Sequence, residues 1–211
     1  MTIQADIPVR IIIAVQLITI ATLRSYFGAP RAKRSAVTGT AQRSEPAWLT
    51  TILAMMAVLH FGAVLAYLIS PSFLQGSAFG SATVTRWIGI AVSCLGIAGE
   101  VWAAVALGAS YSPRLQVSDE RVVVTAGPYR WIRHPLYAFW LPTAVGWGLA
   151  THNWFILFSG AVLIFVLALV RVPREEAMML AGFGEQYGQY MQRTGRFIPR
   201  LRTARPSLAN P

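Results

Sequence analysis

Residues 137–170 read YAFWLPTAVGWGLATHNWFILFSGAVLIFVLALV. Two apolar runs, Tyr137 to Ala150 and Trp154 to Val170, are separated only by Thr151, His152 and Asn153. So short a connection predicts an antiparallel helical hairpin. Runs this apolar predict that the hairpin lies in a bilayer, whose ~30 Å hydrocarbon core takes ~20 helical residues. The first run, at 14 residues, is short for a crossing and is expected to start earlier or to tilt. Three further apolar runs precede the hairpin: Ile7 to Leu23, Trp48 to Ile69 without a single Asp, Glu, Lys or Arg, and Trp87 to Leu107, interrupted once by Glu100. The reading is an all-α integral membrane protein with five transmembrane helices.

Composition agrees. Of 211 residues, 55% are hydrophobic and 12% charged, against about 25% charged in ordinary soluble domains, and mean hydropathy is +0.52. A water-soluble globular domain and an intrinsically disordered chain are both excluded. The net charge of +10 reads as the arginine excess of loops facing anionic lipid rather than as a nucleic-acid surface. The single cysteine, Cys94, allows no internal disulfide and is expected to be a small packing residue. Met1 to Arg10 lacks the basic start and cleavage site of a secretory signal, so the first run is read as retained.

Charge sets the expected orientation. Segments 24–47 and 108–136 and the tail after Val170 hold sixteen of the eighteen basic residues, leaving Arg10 and Arg86 opposite. With five spans these three regions share one side, so the N-terminus is expected outside and the C-terminus in the cytoplasm. Segment 28–47 reads as a mobile connection, 174–193 as an amphipathic cytoplasmic helix broken near Gly182 or Gly184, and 203–211 as a disordered tail. The expected organisation is residues 1–107 as three spans and a basic loop, 108–201 as a functional core, and 202–211 as the tail.

Two constellations could carry chemistry. In residues 116–137, QVSDERVVVTAGPYRWIRHPLY, Tyr129, Arg130, Trp131, Arg133, His134 and Tyr137 crowd the start of the hairpin. Gly127-Pro128 marks a turn, Pro135 suits the first turn of a helix, and His134 then falls near its N-cap, where free N–H groups and the positive dipole end hold a carboxylate. An interfacial belt of Trp, Tyr and Arg is the competing reading. The second constellation is Arg171-Val-Pro-Arg174-Glu175-Glu176, where four-residue spacing puts Arg171 and Glu175 on one helical face. A plain surface ion pair is the competing reading there, and Pro173 is expected to open a new helix after a break.

GPYRWIRHPLY, the apolar hairpin, the Arg171…Glu175-Glu176 spacing, FGEQY and GRFIP together resemble the isoprenylcysteine carboxyl methyltransferase family, over roughly Leu107 to Leu201. The resemblance implies S-adenosyl-L-methionine (AdoMet) as cofactor, bound by the cytoplasmic region. Matched motifs place cofactor contacts on Gln116, Arg121, Val122, Val123, Val124, Tyr129, His134, Pro135, Leu136, Tyr137 and Glu175, and Arg171 on the substrate side. Arg171, Glu175 and His134 are the expected catalytic group; no metal is implied.

The residue chemistry is compatible. Helix-end N–H groups and His134 suit the cofactor carboxylate, Glu175 its ammonium, and Tyr and Trp faces its adenine or sulfonium. Transfer to an anionic oxygen removes charge, which a dry pocket at the membrane face favours. A carboxylate acceptor needs no general base; a phenol or enol would call on His134 or a Glu. Glu100, at ~2.5–3.5 kcal/mol to insert, is expected to face the bundle interior, pairing with an Arg or lining the acceptor cavity. His60 reads as a packed, hydrogen-bonded core residue. Gly96-Ile-Ala-Gly99 reads as a close helix approach, not a glycine-rich cofactor loop. Expected partners are membrane lipids and a lipophilic acceptor: an isoprenoid, polyketide or lipid carboxylate or hydroxyl. Seventeen arginines against one lysine point to GC-rich coding and a bacterial inner membrane. Two alternatives stay open: an NADPH-dependent membrane reductase of the sterol-reductase type, and a non-catalytic scaffold with a basic face.

Overall fold

The computed structural model describes residues 3–38, 46–80, 83–108 and 123–200. Among these residues the architecture is all-helical: α1 (Ile3–Thr38), α2 (Ala47–Ile69), α3 (Thr83–Leu107), α4 (Pro135–Thr151), α5 (Trp154–Val166) and α6 (Val172–Arg193). Short 3₁₀ turns lie at Pro71–Ser77 and Gly127–Arg130, and a π turn at Leu167–Arg171 joins α5 to α6. The fold class is therefore helical and membrane-embedded, with four helices long and apolar enough to cross a bilayer. Helix α4 does start earlier than its apolar run, at Pro135, yet its 17 residues reach only ~25 Å.

The hairpin is built as its sequence predicts. His152 closes α4 in the left-handed conformation (φ 48°), and its backbone N–H bonds to Leu149 O. Asn153 caps α5 by accepting from Ile156 N at 3.0 Å. The α2–α3 connection docks on this turn: Phe79 N donates to His152 O at 2.8 Å, and Asn153 Nδ2 to Leu74 O at 3.0 Å. Close by, Arg86 of α3 pairs with Asp6 of α1, both buried. Arg10 donates to the carbonyls of Leu68 and Ile69. Both basic residues of this far end are thus spent on contacts inside the protein.

Glycine sets the tightest seam, between α3 and α4. A Cβ on Gly96 would lie 2.3 Å from Thr143 Oγ1, on Gly99 2.2 Å from the Phe139 ring, and on Gly146 2.5 Å from Ser93 N. The stretch Gly96 to Gly99 is the close-approach surface its composition predicts. The core centres on Trp147, fully buried, whose indole N–H donates to Gln16 Oε1 at 2.6 Å while Gln16 donates to Ser93 Oγ at 3.0 Å. His60 is fully buried, shares a 3.0 Å hydrogen bond with Ser159 Oγ and stacks on Trp147. Outward faces stay apolar, with Met55, Val58, Leu95 and Phe165 each more than 60% exposed, which suits lipid as the surrounding medium.

Three expectations are corrected. Segment 28–38, read as a mobile connection, continues α1 as helix through Thr38, because Ala, Arg and Lys favour helix strongly enough to extend it past the apolar part; 39–45 lie outside the described residues. Cys94 is exposed on the outer side of α3 rather than packed, its sulfur 3.2 Å from Gln16 Nε2. No break precedes Pro173. The π turn carries the helix past it, with Val172 N–H reaching back to Leu167 O, so the proline's missing donor falls where the ladder is already shifted. The break expected near Gly182 or Gly184 does occur, at Gly184 (φ 53°, ψ −128°).

Candidate functional site

The site is assembled at the end of the bundle opposite the Asp6–Arg86 pair. Gly127, at φ +57°, starts the turn; a Cβ there would meet Ala106 Cβ at 2.7 Å, so only glycine lets the loop lie against α3. Pro128 and Tyr129 follow, buried, and Tyr129 O accepts from Tyr190 Oη of α6 at 2.7 Å. Trp131 packs near Trp102 of α3 (5.8 Å between ring centroids) and under the Arg130 guanidinium (4.5 Å). His134 then takes the N-cap position of α4 with Pro135 behind it, as the sequence predicts. Leu136 and Tyr137 follow in the first turn, where backbone N–H groups have no intrahelical acceptor.

Helix α5 continues without interruption through the π turn into α6 as far as the kink at Gly184, a rod of ~45 Å, about one and a half times a hydrocarbon core. Its protruding half carries Arg171, Glu175 and Glu176 back against His134. Tyr137 Oη donates to Glu175 Oε1 at 2.8 Å, Arg171 Nε lies 3.3 Å from the same oxygen, and His134 Nδ1 lies 3.5 Å from Glu175 Oε2. The four-residue Arg171–Glu175 pairing therefore forms despite Pro173. Arg171, Glu175, His134 and Tyr137 converge, the geometry expected if they share one ligand.

Glu176 organises what lies beneath. It is 4% exposed and accepts from Arg133 Nε (2.9 Å), Arg196 Nε (3.3 Å) and His134 Nε2 (3.3 Å). Arg196 belongs to a short extended segment that runs beside the loop: Arg133 N donates to Gly195 O (2.9 Å), His134 N to Arg196 O (3.0 Å) and Gly195 N to Trp131 O (3.0 Å). Phe197 adds a ring contact to His134 at 6.0 Å. Burial alone would lower the His134 imidazole, but the hydrogen bonds and charges of Glu175 and Glu176 outweigh it and hold the group above its ordinary value of 6.5. Burial alone would raise Glu176, but His134, Arg196 and Arg133 together hold it far below the usual carboxylate range. The two carboxylates favour the protonated form of His134, which works against a general base and suits holding an anion.

Of the other residues singled out in the sequence, Val123 is buried against Tyr187 and Tyr190, and Val124 beside it is half-buried. Gln116, Arg121 and Val122 lie outside the described residues. Glu100 does not join the His134 group. It lies on α3, beside a point further along α4, accepting from Thr143 Oγ1 at 2.8 Å. Sequence reasoning missed the Glu176–Arg133–Arg196 hub. Its signal was present in the Glu175-Glu176 doublet and in the arginines of RHPLY and GRFIP, but which carboxylate faces inward depends on the phase of α6 after the π turn.

The donors and acceptors here match the amino-acid end of AdoMet. Glu175 offers a partly accessible carboxylate, its side chain 19% exposed, and the first turn of α4 offers N–H groups beside His134. Residues 87–181 match the model of the isoprenylcysteine carboxyl methyltransferase family. Protein-S-isoprenylcysteine O-methyltransferase of Tribolium castaneum is 30% identical over 132 residues, 60% of this chain and 47% of the relative. That of Schizosaccharomyces pombe is 26% identical over 159 residues, 72% and 66%. The solved structure of a eukaryotic intramembrane Ras methyltransferase, isoprenylcysteine carboxyl methyltransferase, aligns with a TM-score of 0.51 at 26% identity, covering 74% of this chain and 53% of that one. The chain spans about half the length of the first of these relatives. Over residues 87–181 and in its helical architecture, the chain is similar to the isoprenylcysteine carboxyl methyltransferase family.

Proposed function

We propose that this protein is an integral-membrane, AdoMet-dependent methyltransferase that acts on an oxygen of a lipophilic acceptor, with a carboxylate acceptor favoured. The observation that carries the reading is the convergence of His134, Tyr137, Glu175 and Arg171 at the start of α4. When bound, AdoMet supplies an electrophilic methyl group on a sulfonium. Glu175 would hold its ammonium and the Leu136 and Tyr137 N–H groups with His134 its carboxylate, with Gln116, Arg121, Val122, Val123, Val124, Tyr129 and Pro135 as further cofactor contacts. Arg171, oriented by Glu175, holds the acceptor carboxylate with charge-assisted hydrogen bonds. Glu175 and Glu176 favour the protonated form of His134, which suits a carboxylate acceptor, whose oxygen takes the methyl group with no proton to remove. Placement of the two reactants in line supplies the remaining barrier reduction.

The same reading takes α4 as a short fifth span, putting the N-terminus outside and the site on the cytoplasmic face of a bacterial inner membrane. It keeps residues 1–107 as a span unit, 108–201 as the methyltransferase core and 202–211 as a tail. Support comes from the buried pairing of Asp6 with Arg86 and the internal use of Arg10, which leave the site end as the basic one.

The test uses the purified full chain in detergent with S-adenosylhomocysteine, the demethylated cofactor. A raised thermal unfolding temperature is expected, because a ligand selective for the native state stabilises it, together with transfer of labelled methyl from AdoMet into a lipophilic acid. Stabilisation by NADPH and not by S-adenosylhomocysteine would instead establish the reductase reading.

A further inference from the structure

The intramembrane carboxylate is the feature the reaction leaves unused. Glu100 lies in α3 beside Gly99, where α3 and α4 touch most closely. The residue is partly exposed, and among the described residues its carboxylate's hydrogen-bond donor is the buried Thr143 hydroxyl at 2.8 Å. That hydroxyl also lies 3.2 Å from Phe139 O, the carbonyl one turn back on its own helix, so its single proton is contested. Arg24 of α1 acts on Glu100 electrostatically without forming an ion pair with it. Its guanidinium is 5.6 Å from the centre of the Trp140 ring. A carboxylate has about four acceptor sites, and one at membrane depth with a single contested donor is a functional residue by default.

Its position relative to the site is set by α4. Thr143 is six residues beyond Tyr137 and nine beyond His134, which places Glu100 ~9–14 Å further into the membrane along the helix. On α4, Tyr137 and Trp140 pack against one cluster, and Trp140 lies under the same Arg24 guanidinium that acts on Glu100. An acceptor whose oxygen reaches the methyl donor would lay its chain along this side of α4 and bring its middle to Glu100.

Resting on the methyltransferase reading, we infer that Glu100 is a specificity-determining residue that accepts a hydrogen bond from a hydroxyl or amide N–H partway along the acceptor's chain. The acceptor is thus a lipophilic acid with a polar donor on its tail rather than a bare hydrocarbon. An all-hydrocarbon tail would leave the Glu100 carboxylate desolvated and unmatched, and a site built to bond a polar group discriminates strongly against the analogue lacking it.

The test is a panel of synthetic S-farnesyl thioacetic acids, one plain and the others with a single hydroxyl moved along the chain, assayed with labelled AdoMet on the full chain in vesicles. The expected result is a kcat/KM for one hydroxylated position at least ~10-fold above the plain acid. That ratio collapses toward one in Glu100→Leu, falls partway in Glu100→Gln, and persists in Thr143→Val, which keeps the carboxylate. If Glu100→Leu does not accumulate as folded protein, the isosteric Glu100→Gln carries the test. Equal use of all acids by the unmodified protein, or equal losses on plain and hydroxylated acids in the Glu100 variants, overturns the inference and leaves the methyltransferase reading standing. Methylation of none of the acids, without stabilisation by S-adenosylhomocysteine, overturns both.

Discussion

Glu176 bears more of the site's internal order than the residues expected to touch ligand. It neutralises Arg133, Arg196 and His134 at once, so removing its charge strands cations that are partly or wholly buried. Glu176→Gln should destabilise the protein by about 3–5 kcal/mol, the range for breaking a buried ion pair from one side. Arg196→Ala should cost less, since that side chain is 44% exposed and solvent screens it. Both are read from thermal unfolding in detergent. The pH dependence follows from the two directions of shift. His134 is held above 6.5 when folded, so its contribution is complete below 6.5 and fades as pH climbs through the higher folded value. Glu176 is held low, so its contribution is complete above its ordinary 4.5 and fades as pH falls toward the folded value. Stability should therefore be flat between these ordinary values and fall on the alkaline side. His134→Gln should flatten that alkaline decline; a decline that persists undiminished would assign it to another group. For ligand binding, Glu175→Gln should weaken S-adenosylhomocysteine by ~10–100-fold, the worth of one charge-assisted hydrogen bond, measured by calorimetry.

At the scale of elements, the α3–α4 seam and the α5–α6 rod position everything else. Any side chain at Gly99 must displace the Phe139 ring, and Phe139 sits one turn from the start of α4. Gly99→Val should cost about 1–3 kcal/mol through overpacking and shift the first turn of α4 with it, so ligand affinity should fall alongside thermal stability. Gly127→Ala combines a positive φ with a 2.7 Å clash and should cost ~1–3 kcal/mol, again seen in the melt. The hairpin, the turn at Gly127-Pro128 and the start of α4 at Pro135 were legible because each is decided by neighbours in the chain: a short linker, Gly-Pro for a turn, Pro for the first helical turn. The π turn at Leu167–Arg171 was not. Its residues continue the apolar run without interruption, and the one-residue shift relieves Pro173 through backbone geometry that no side-chain pattern announces.

For the whole molecule, the topology makes its own prediction. In a Cys94→Ser background, Ser72→Cys on the α2–α3 connection should react with a membrane-impermeant maleimide in intact cells. Gln186→Cys on α6 should react only after the cells are opened. Both positions are exposed, so the reverse pattern would invert the proposed orientation. Helix content, the membrane habit and the basic end of the bundle were determined by the sequence itself, because hydrocarbon length, apolar composition and charge distribution act locally along a chain. So were the members of the His134, Tyr137, Arg171 and Glu175 group. Tertiary structure alone decided that Glu176 rather than Glu175 lies at the bottom of the ion-pair hub, that the Thr194–Phe197 segment braces the histidine loop, and that Glu100 meets Thr143 instead of the His134 cluster. Each of these depends on the rotational phase of one helix against another, which is set by which glycines allow contact and by a single shifted hydrogen bond, and residues dozens of positions apart have no local means of recording it.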